Sequence, residues 1–184
     1  MLSQAKKHKF VISPATEEDS EGVGVAHLQS WRETYPNTKL GIDIDWVNET
    51  VGFLAEDRGR DYRRNTIRRS HAFPEKILYL VAKTKAGKIV GFLHVELGED
   101  EARFEAIYLL EEAQGTGLAD DLMYRALEFA GDKPMYLEVA SYNPRAIRYY
   151  HKYGFEEVPN SSTIYKDKVP VFGMRREPNR EDLR

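Results

Sequence analysis

With 184 residues, 41% of them hydrophobic, and a net charge of −3 at pH 7, the chain is sized for one globular α/β domain around a single large core. It contains no cysteine, which excludes disulfides, thiolate metal sites and a cysteine acyl-enzyme. No apolar run approaches the ~20 residues of a membrane span. Residues 1–9 are polar and basic, without the apolar stretch of a secretory signal, so a cytoplasmic protein is expected.

Residues 10–13 read as a short strand ending at Pro14, and Thr16 with Asp19 forms a capping-box pattern ahead of a helix over 17–33. Trp31 and Tyr35 close that segment, and Pro36-Asn37 breaks it. A second helical region is expected from Asp45 towards Arg69, in two pieces around Gly52 or Gly59. Residues 77–82 and 88–96 are rich in β-formers on either side of the Ala86-Gly87 turn, which predicts a hairpin. Residues 103–110 make the next strand, with Arg103, Glu105, Ile107 and Leu109 on one face and Phe104, Ala106 and Tyr108 on the other.

A glycine turn, Gln114-Gly115-Thr116-Gly117-Leu118-Ala119, then opens a helix whose Leu118, Leu122, Ala126 and Ala130 recur every fourth residue. Residues 131–134 end it, residues 135–140 form an apolar interior strand, and a helix starts at Asn143. Late strands are expected at 156–158 and 164–174. The whole chain is read as one domain, with residues 1–9 and 175–184 as flexible tails.

The order strand, glycine turn, helix, strand, helix has a chemical consequence. A helix N-terminus offers unpaired N–H groups and the positive end of the helix dipole, which favours phosphate. Glycines at 115 and 117 permit positive φ and remove Cβ atoms that would keep an anion away. Position 120 is Asp and no Lys-Ser or Lys-Thr pair follows, so the dinucleotide and P-loop fingerprints both fail. The second helix is marked at both ends: Asn143 as N-cap, Pro144 at the first helical position, Gly154 as a left-handed cap. Asn143, Ala146, Ile147 and Tyr150 share one face, and the small side chain at 146 leaves room for a ligand beside Tyr150. Tyr149 and Tyr153 read as core residues.

These two segments resemble the GNAT superfamily of acyl-CoA-dependent N-acetyltransferases. Residues 114–119 match its Gln/Arg-x-x-Gly-x-Gly/Ala turn, and residues 143–155 match its Asn-x-x-Ala-x-x-x-Tyr-x-x-x-Gly-Phe segment at every specified position. The resemblance covers residues 77–155, and more loosely Ser30 to Tyr35, which are similar to the first helix of polyamine-type acetyltransferases. It implies an α/β (α+β) fold with a mixed, mainly antiparallel sheet flanked by helices and a splayed central strand pair. It also implies acetyl-CoA as co-substrate. Backbone groups of Ile107, Tyr108 and Leu109 would face the thioester and pantetheine arm, and amides of Gly115, Thr116, Gly117, Leu118 and Ala119 the pyrophosphate. Gln114 would flank it, Asn143 and Ala146 would lie against the CoA arm, and Tyr150 would be the general acid.

An alkyl ammonium with pKa near 10 must lose a proton before it attacks. Glu105 is the first candidate base, alternating with Ile107 and ~7 Å upstream of the acetyl position by strand rise; Glu96, His94 and Glu33 are rivals. Relatives often carry glutamate at the position of Arg103, so a base proposed there does not transfer. Asp120 and Asp121, in the first turn of the phosphate helix, are expected to face solvent. Without cysteine, direct transfer in a ternary complex is expected. The acceptor is read as a small-molecule primary amine, polyamine-like or amino-acid-like, met by Glu33, Asp43 and Asp45.

Arg58, Arg60, Arg63, Arg64, Arg68 and Arg69 raise a competing reading, a nucleic-acid-binding module, which the acidic net charge disfavours. A non-catalytic acyl-CoA sensor is the third. The five histidines lie apart, so no metal is predicted, and a homodimer is compatible with the chain.

Overall fold

The computed structural model describes residues 9–178, and the expected tails at 1–8 and 179–184 lie outside the described residues. The strands are β1 (Phe10–Pro14), β2 (Ile77–Thr84), β3 (Ile89–Leu97), β4 (Ala102–Leu109), β5 (Met135–Ala140), β6 (Glu156–Glu157), β7 (Thr163–Tyr165) and β8 (Val169–Arg176). The helices are α1 (Ser20–Thr34), α2 (Ile44–Val51), α3 (Asp57–Ala72), α4 (Leu118–Ala130) and α5 (Pro144–Lys152). The strands form one sheet in the order β1-β2-β3-β4-β5-β8-β6, with β7 paired to β8. Among the described residues only β4 and β5 run parallel, joined by the α4 crossover.

Residues Ile89 to Val95 of β3 are buried without alternation because helices cover both faces of the sheet. On one face, Leu118, Leu122, Met123 and Ala126 of α4 pack on Leu93, Leu137 and Val139. On the other, Val23 and Ala26 of α1 and Ile67 of α3 pack on Tyr79, Val81 and Phe92. A third cluster joins Leu28 and Trp31 of α1 and Val47 of α2 to Ala140, Val169 and Val171, so the end of α1 is tied to the far half of the sheet.

Several boundaries differ from the sequence reading. Residues 164–174 are not one strand: Lys166 and Asp167, at φ 51° and 62°, turn the chain between β7 and β8. Arg175 and Arg176, expected in a tail, are the last residues of β8, where Arg176 is buried and its Nε donates to Tyr153 O at 2.9 Å. The break in the second helical region falls between α2 and α3 at residues 52–56, and Gly59 lies inside α3. The capping box does form, with Thr16 N–H donating to Asp19 Oδ2 at 3.0 Å.

The largest correction concerns β4. His94 pairs with Ala106 and Val95 with Phe104, so Glu105 has no partner across the ladder and is the extra residue of a β-bulge. The bulge resets the alternation of the strand. Phe104, Ile107 and Leu109 join the core beneath α4 and α5, whereas Ala106 and Tyr108 pack on the α1 side. Glu105 does not share a face with Ile107: it lies 3.5 Å from Arg103 Nε, and the Arg103 guanidinium covers the ring of Tyr136, which alternates with core residue Leu137 and so lies on the other side of the sheet.

Candidate active site

β4 and β5 pair only through Ala102 with Met135 and Arg103 with Tyr136. Beyond those pairs the strands part, and the wedge opens into a cleft of about 590 Å³ lined from Phe104 to Leu109 on one side and Leu137 to Ala140 on the other. Strand groups that lose their ladder partner must find another. The splay therefore leaves the β5-facing edge at Ile107 and Leu109 without a strand partner; Tyr108 between them turns its carbonyl to β3, and the Leu109 carbonyl accepts from Gln114.

At the wide end stands the glycine turn. Gly115 and Gly117 adopt φ of 72° and 91°, and a Cβ built on either would meet no heavy atom within 4 Å, so both conformation and open space match the demands of an approaching anion. Thr116 Oγ1 donates to Ala113 O at 2.7 Å and holds the turn. Gln114 is fixed twice: its Nε2 donates to Leu109 O at 3.1 Å, and its Oε1 accepts from Arg145 Nη1. Arg145 brings a cation to the glycine turn; its sequence signal was only its place in the first turn of the capped helix.

The α5 caps form as read. Asn143 Oδ1 accepts from Ala146 N–H at 3.1 Å, Pro144 is the first helical residue, and Gly154 has φ 80°. The helix is tied to the start of α4 by Tyr149 Oη, which donates to Ala119 O at 2.7 Å, and by Tyr153 Oη, which donates to Asp120 Oδ1 at 2.7 Å. Lys152 Nζ binds the other Asp120 oxygen at 3.0 Å, so Asp120 turns to α5 and does not face solvent as expected. Tyr153 is buried and Tyr149 half-buried, both in the core.

Tyr150 faces the cleft, with its ring 6.4 Å from that of Phe104 and 5.8 Å from that of Phe155. Burial, and then the neighbouring Tyr35 phenol, push its pKa well above the usual tyrosine value, so its hydroxyl stays protonated through neutral pH. The opposing wall holds two phenols that the sequence reading did not bring together. Tyr35 and Tyr108 hydroxyls lie 3.3 Å apart, Tyr35 stacks on Trp31 at 4.0 Å, and Tyr142 Oη donates to Tyr35 O at 3.0 Å. Burial pushes Tyr108 up to about 12 and holds Tyr35 well above the usual tyrosine value. His27, 4.4 Å from the Tyr108 ring, is held neutral, lowered to about 3 by burial and by Arg63.

Glu33, Glu105 and Glu138 are the carboxylates of this wall. Glu33 Oε2 accepts the N–H of Glu111 at 2.9 Å, and Glu105 lies 3.5 Å from Arg103 Nε. Asp43 and Asp45 do not join them: Asp43 caps α2 through Trp46 N–H at 2.8 Å, and Asp45 is exposed elsewhere. The rivals His94 and Glu96 pair at 3.2 Å outside the cleft lining, and burial lowers the pKa of His94.

The arginine cluster is largely consumed inside the fold. Arg63 is buried, with Nε donating to Ser20 O at 2.8 Å and Nη2 to Leu54 O. Arg68 forks onto Glu17, Arg60 pairs with Asp57 at 2.8 Å, and Arg69 lies 3.6 Å from Glu96. Among the described residues, no three His, Asp or Glu side chains are grouped to hold a metal, and no helix is long and apolar enough to cross a membrane.

The model of the acetyltransferase (GNAT) family matches residues 30–155, a span that includes the end of α1, the splay, the glycine turn and α5. The chain belongs to the GNAT acetyltransferase family. It is 28% identical over 172 residues to an uncharacterized N-acetyltransferase, YuaI, of Bacillus subtilis (strain 168), covering 89% of this chain and 87% of the relative. Its fold is similar to that of the PaiA N-acetyltransferase from Thermoplasma acidophilum in complex with coenzyme A (TM-score 0.73, 20% identity, 91% of this chain and 98% of that one). It is also similar to a GNAT-family acetyltransferase from Streptococcus pneumoniae (TM-score 0.70, 18% identity, 92% and 99%). This GNAT chain is an acyl-CoA-dependent N-acetyltransferase, with acetyl-CoA as co-substrate.

Proposed function

We propose that this acetyltransferase moves an acetyl group directly from acetyl-CoA to a primary amine of a small molecule, polyamine-like or amino-acid-like, with Tyr150 as acid and Glu105 as base. The observation that carries this reading is the splay itself, with a protonated phenol on its α5 side and a bulge carboxylate on its α1 side, both lining one cleft. A thioester supplies an activated carbonyl carbon; the chain supplies position and proton traffic. Amides of Gly115, Thr116, Gly117 and Ala119, with Gln114 and Arg145 beside them, suit the pyrophosphate. The Leu118 amide adds to them, although it also faces Thr116 Oγ1 at 3.5 Å. Backbone groups of Ile107 to Leu109, with Asn143 and Ala146 opposite, suit the pantetheine arm.

Glu105 takes one proton from the ammonium, through a bridging water, and passes it to solvent. The amine nitrogen then forms the C–N bond as the C–S bond breaks. Tyr150 donates its O–H proton to the departing sulfur, and the second proton lost from nitrogen returns to the Tyr150 oxygen, leaving free thiol, amide and a restored phenol. The raised pKa of Tyr150 keeps it a donor throughout neutral pH. The neutral, hydroxyl-lined wall of Tyr35 and Tyr108 can accept hydrogen bonds from the amine without adding charge.

A panel of polyamines, amino acids, aminoglycosides and peptide N-termini with acetyl-CoA tests the reading by thiol release and product mass. Amine-dependent release with sequential kinetics is expected. Coenzyme binding without release against every acceptor would favour a sensor, and ping-pong kinetics would contradict direct transfer.

A further inference from the structure

We infer that Glu138 reads a second positive charge on the acceptor, so that the substrates are aliphatic diamines or polyamines and not free amino acids; this rests on the acetyl-transfer reading above. The cleft is segregated by charge. Its cationic lining residue, Arg145, is at the glycine turn, bound to Gln114, while Glu33, Glu105 and Glu138 lie on the other walls. The remaining lining acid, Asp120, is engaged by Lys152 and Tyr153.

Glu138 occupies a particular place in that arrangement. Leu137 and Val139 point into the core beneath α4, so Glu138 between them projects from the opposite, α1-facing side of the sheet. Glu105 and Glu138 both line the wedge that opens beyond the parallel pair Arg103–Tyr136, one on each strand. Glu138 is two residues, ~7 Å by strand rise, from Ala140 on β5, a distance that a short alkyl chain spans. An acceptor with its reacting nitrogen beside Ile107 and Tyr108 would bring a distal ammonium to Glu138.

The surroundings suit a cation. Burial, and then the Glu138 charge, raise the phenols of Tyr136 and Tyr165, so both stay neutral hydroxyls; the Tyr165 ring already carries Lys166 at 5.6 Å. Among the described residues no Lys, Arg or His lies within ion-pair distance of Glu138. The nearby cation Arg103 is shared by Glu101 and Glu105 and lies over the Tyr136 ring at 5.1 Å. An amino acid would bring its own carboxylate into this field and be repelled.

The test is the ratio of kcat/KM for 1,4-diaminobutane to that for 1-aminobutane, in the wild type and in Glu138→Gln, with coenzyme A affinity as the control for folding. The wild type should favour the diamine and reject free alanine, and Glu138→Gln should lower the diamine preference about tenfold. A second readout needs no variant: added salt should raise the wild-type KM for the diamine more steeply than for the monoamine. An unchanged ratio in Glu138→Gln, equal salt dependence for the two amines, or preference for alanine would overturn the inference while leaving acetyl transfer intact. Wild-type enzyme that binds coenzyme A but acetylates no amine would instead overturn the reading beneath it.

Discussion

The two ends of the cleft are built from different materials. The glycine-turn end is mostly backbone: two positive-φ glycines, the first turn of α4, and a capped helix docked on it through Tyr149 and Tyr153. The opposite end is mostly side chains drawn from distant segments, with Tyr35 from the end of α1, Glu105 and Tyr108 from β4, and Glu138 from β5. A backbone site is specified by a few residues that permit one local geometry. A side-chain site is specified by which strands and helices meet, and can be altered one residue at a time without moving the scaffold.

If the ends are separate devices, substitutions should divide their effects between coenzyme and amine. Glu105→Gln should lower kcat about a hundredfold with coenzyme A affinity nearly unchanged, measured by steady-state kinetics and calorimetry. Loss of coenzyme binding in that variant would break the comparison. Gly117→Ala forces an L-residue to φ 91°, at roughly 1–2 kcal/mol, and puts a methyl group where the anion would approach. It should raise the KM for acetyl-CoA about tenfold and leave the KM for the amine alone.

A smaller effect sharpens the account of the acceptor wall. His27 has a folded pKa of about 3 against about 6.5 when unfolded, so the unfolded chain binds the extra proton. Its contribution to stability is full above about pH 6.5 and is lost as pH falls towards about 3, by up to ~1.4 kcal/mol per pH unit. Denaturant titrations between pH 7.5 and 5 should show that slope, and His27→Phe should flatten it; His94, lowered in the same direction, leaves a residual slope.

Much of the fold was legible because it is written in local signals. The hairpin of β2 and β3, the stripe of α4 and both caps of α5 need only periodicity and cap chemistry to be seen. The bulge at Glu105 has no such mark. It is set by how β4 registers on β3, and without a glycine or proline at the spot a strict alternation was the natural reading. That single slip put Glu105 on the face of Ile107, although it named the right residue for the cleft. Asp120 was misread for a related reason, since its partners Lys152 and Tyr153 come from another helix. Glu138 left a faint trace as the lone charge in an otherwise apolar and aromatic strand, and Tyr35 left none beyond its place at the end of a helix.

The claim on which the account most depends is that Tyr150 gives its hydrogen to the sulfur at the meeting point of the two ends. Tyr150→Phe keeps the ring and removes only the donor, so kcat with acetyl-CoA and a saturating amine measures that role directly. Turnover should fall about tenfold or more while coenzyme A affinity holds, and the wild-type rate should show no loss from tyrosine ionisation up to about pH 10, because the phenol is pushed above its ordinary value. Unchanged turnover in Tyr150→Phe would contradict the account.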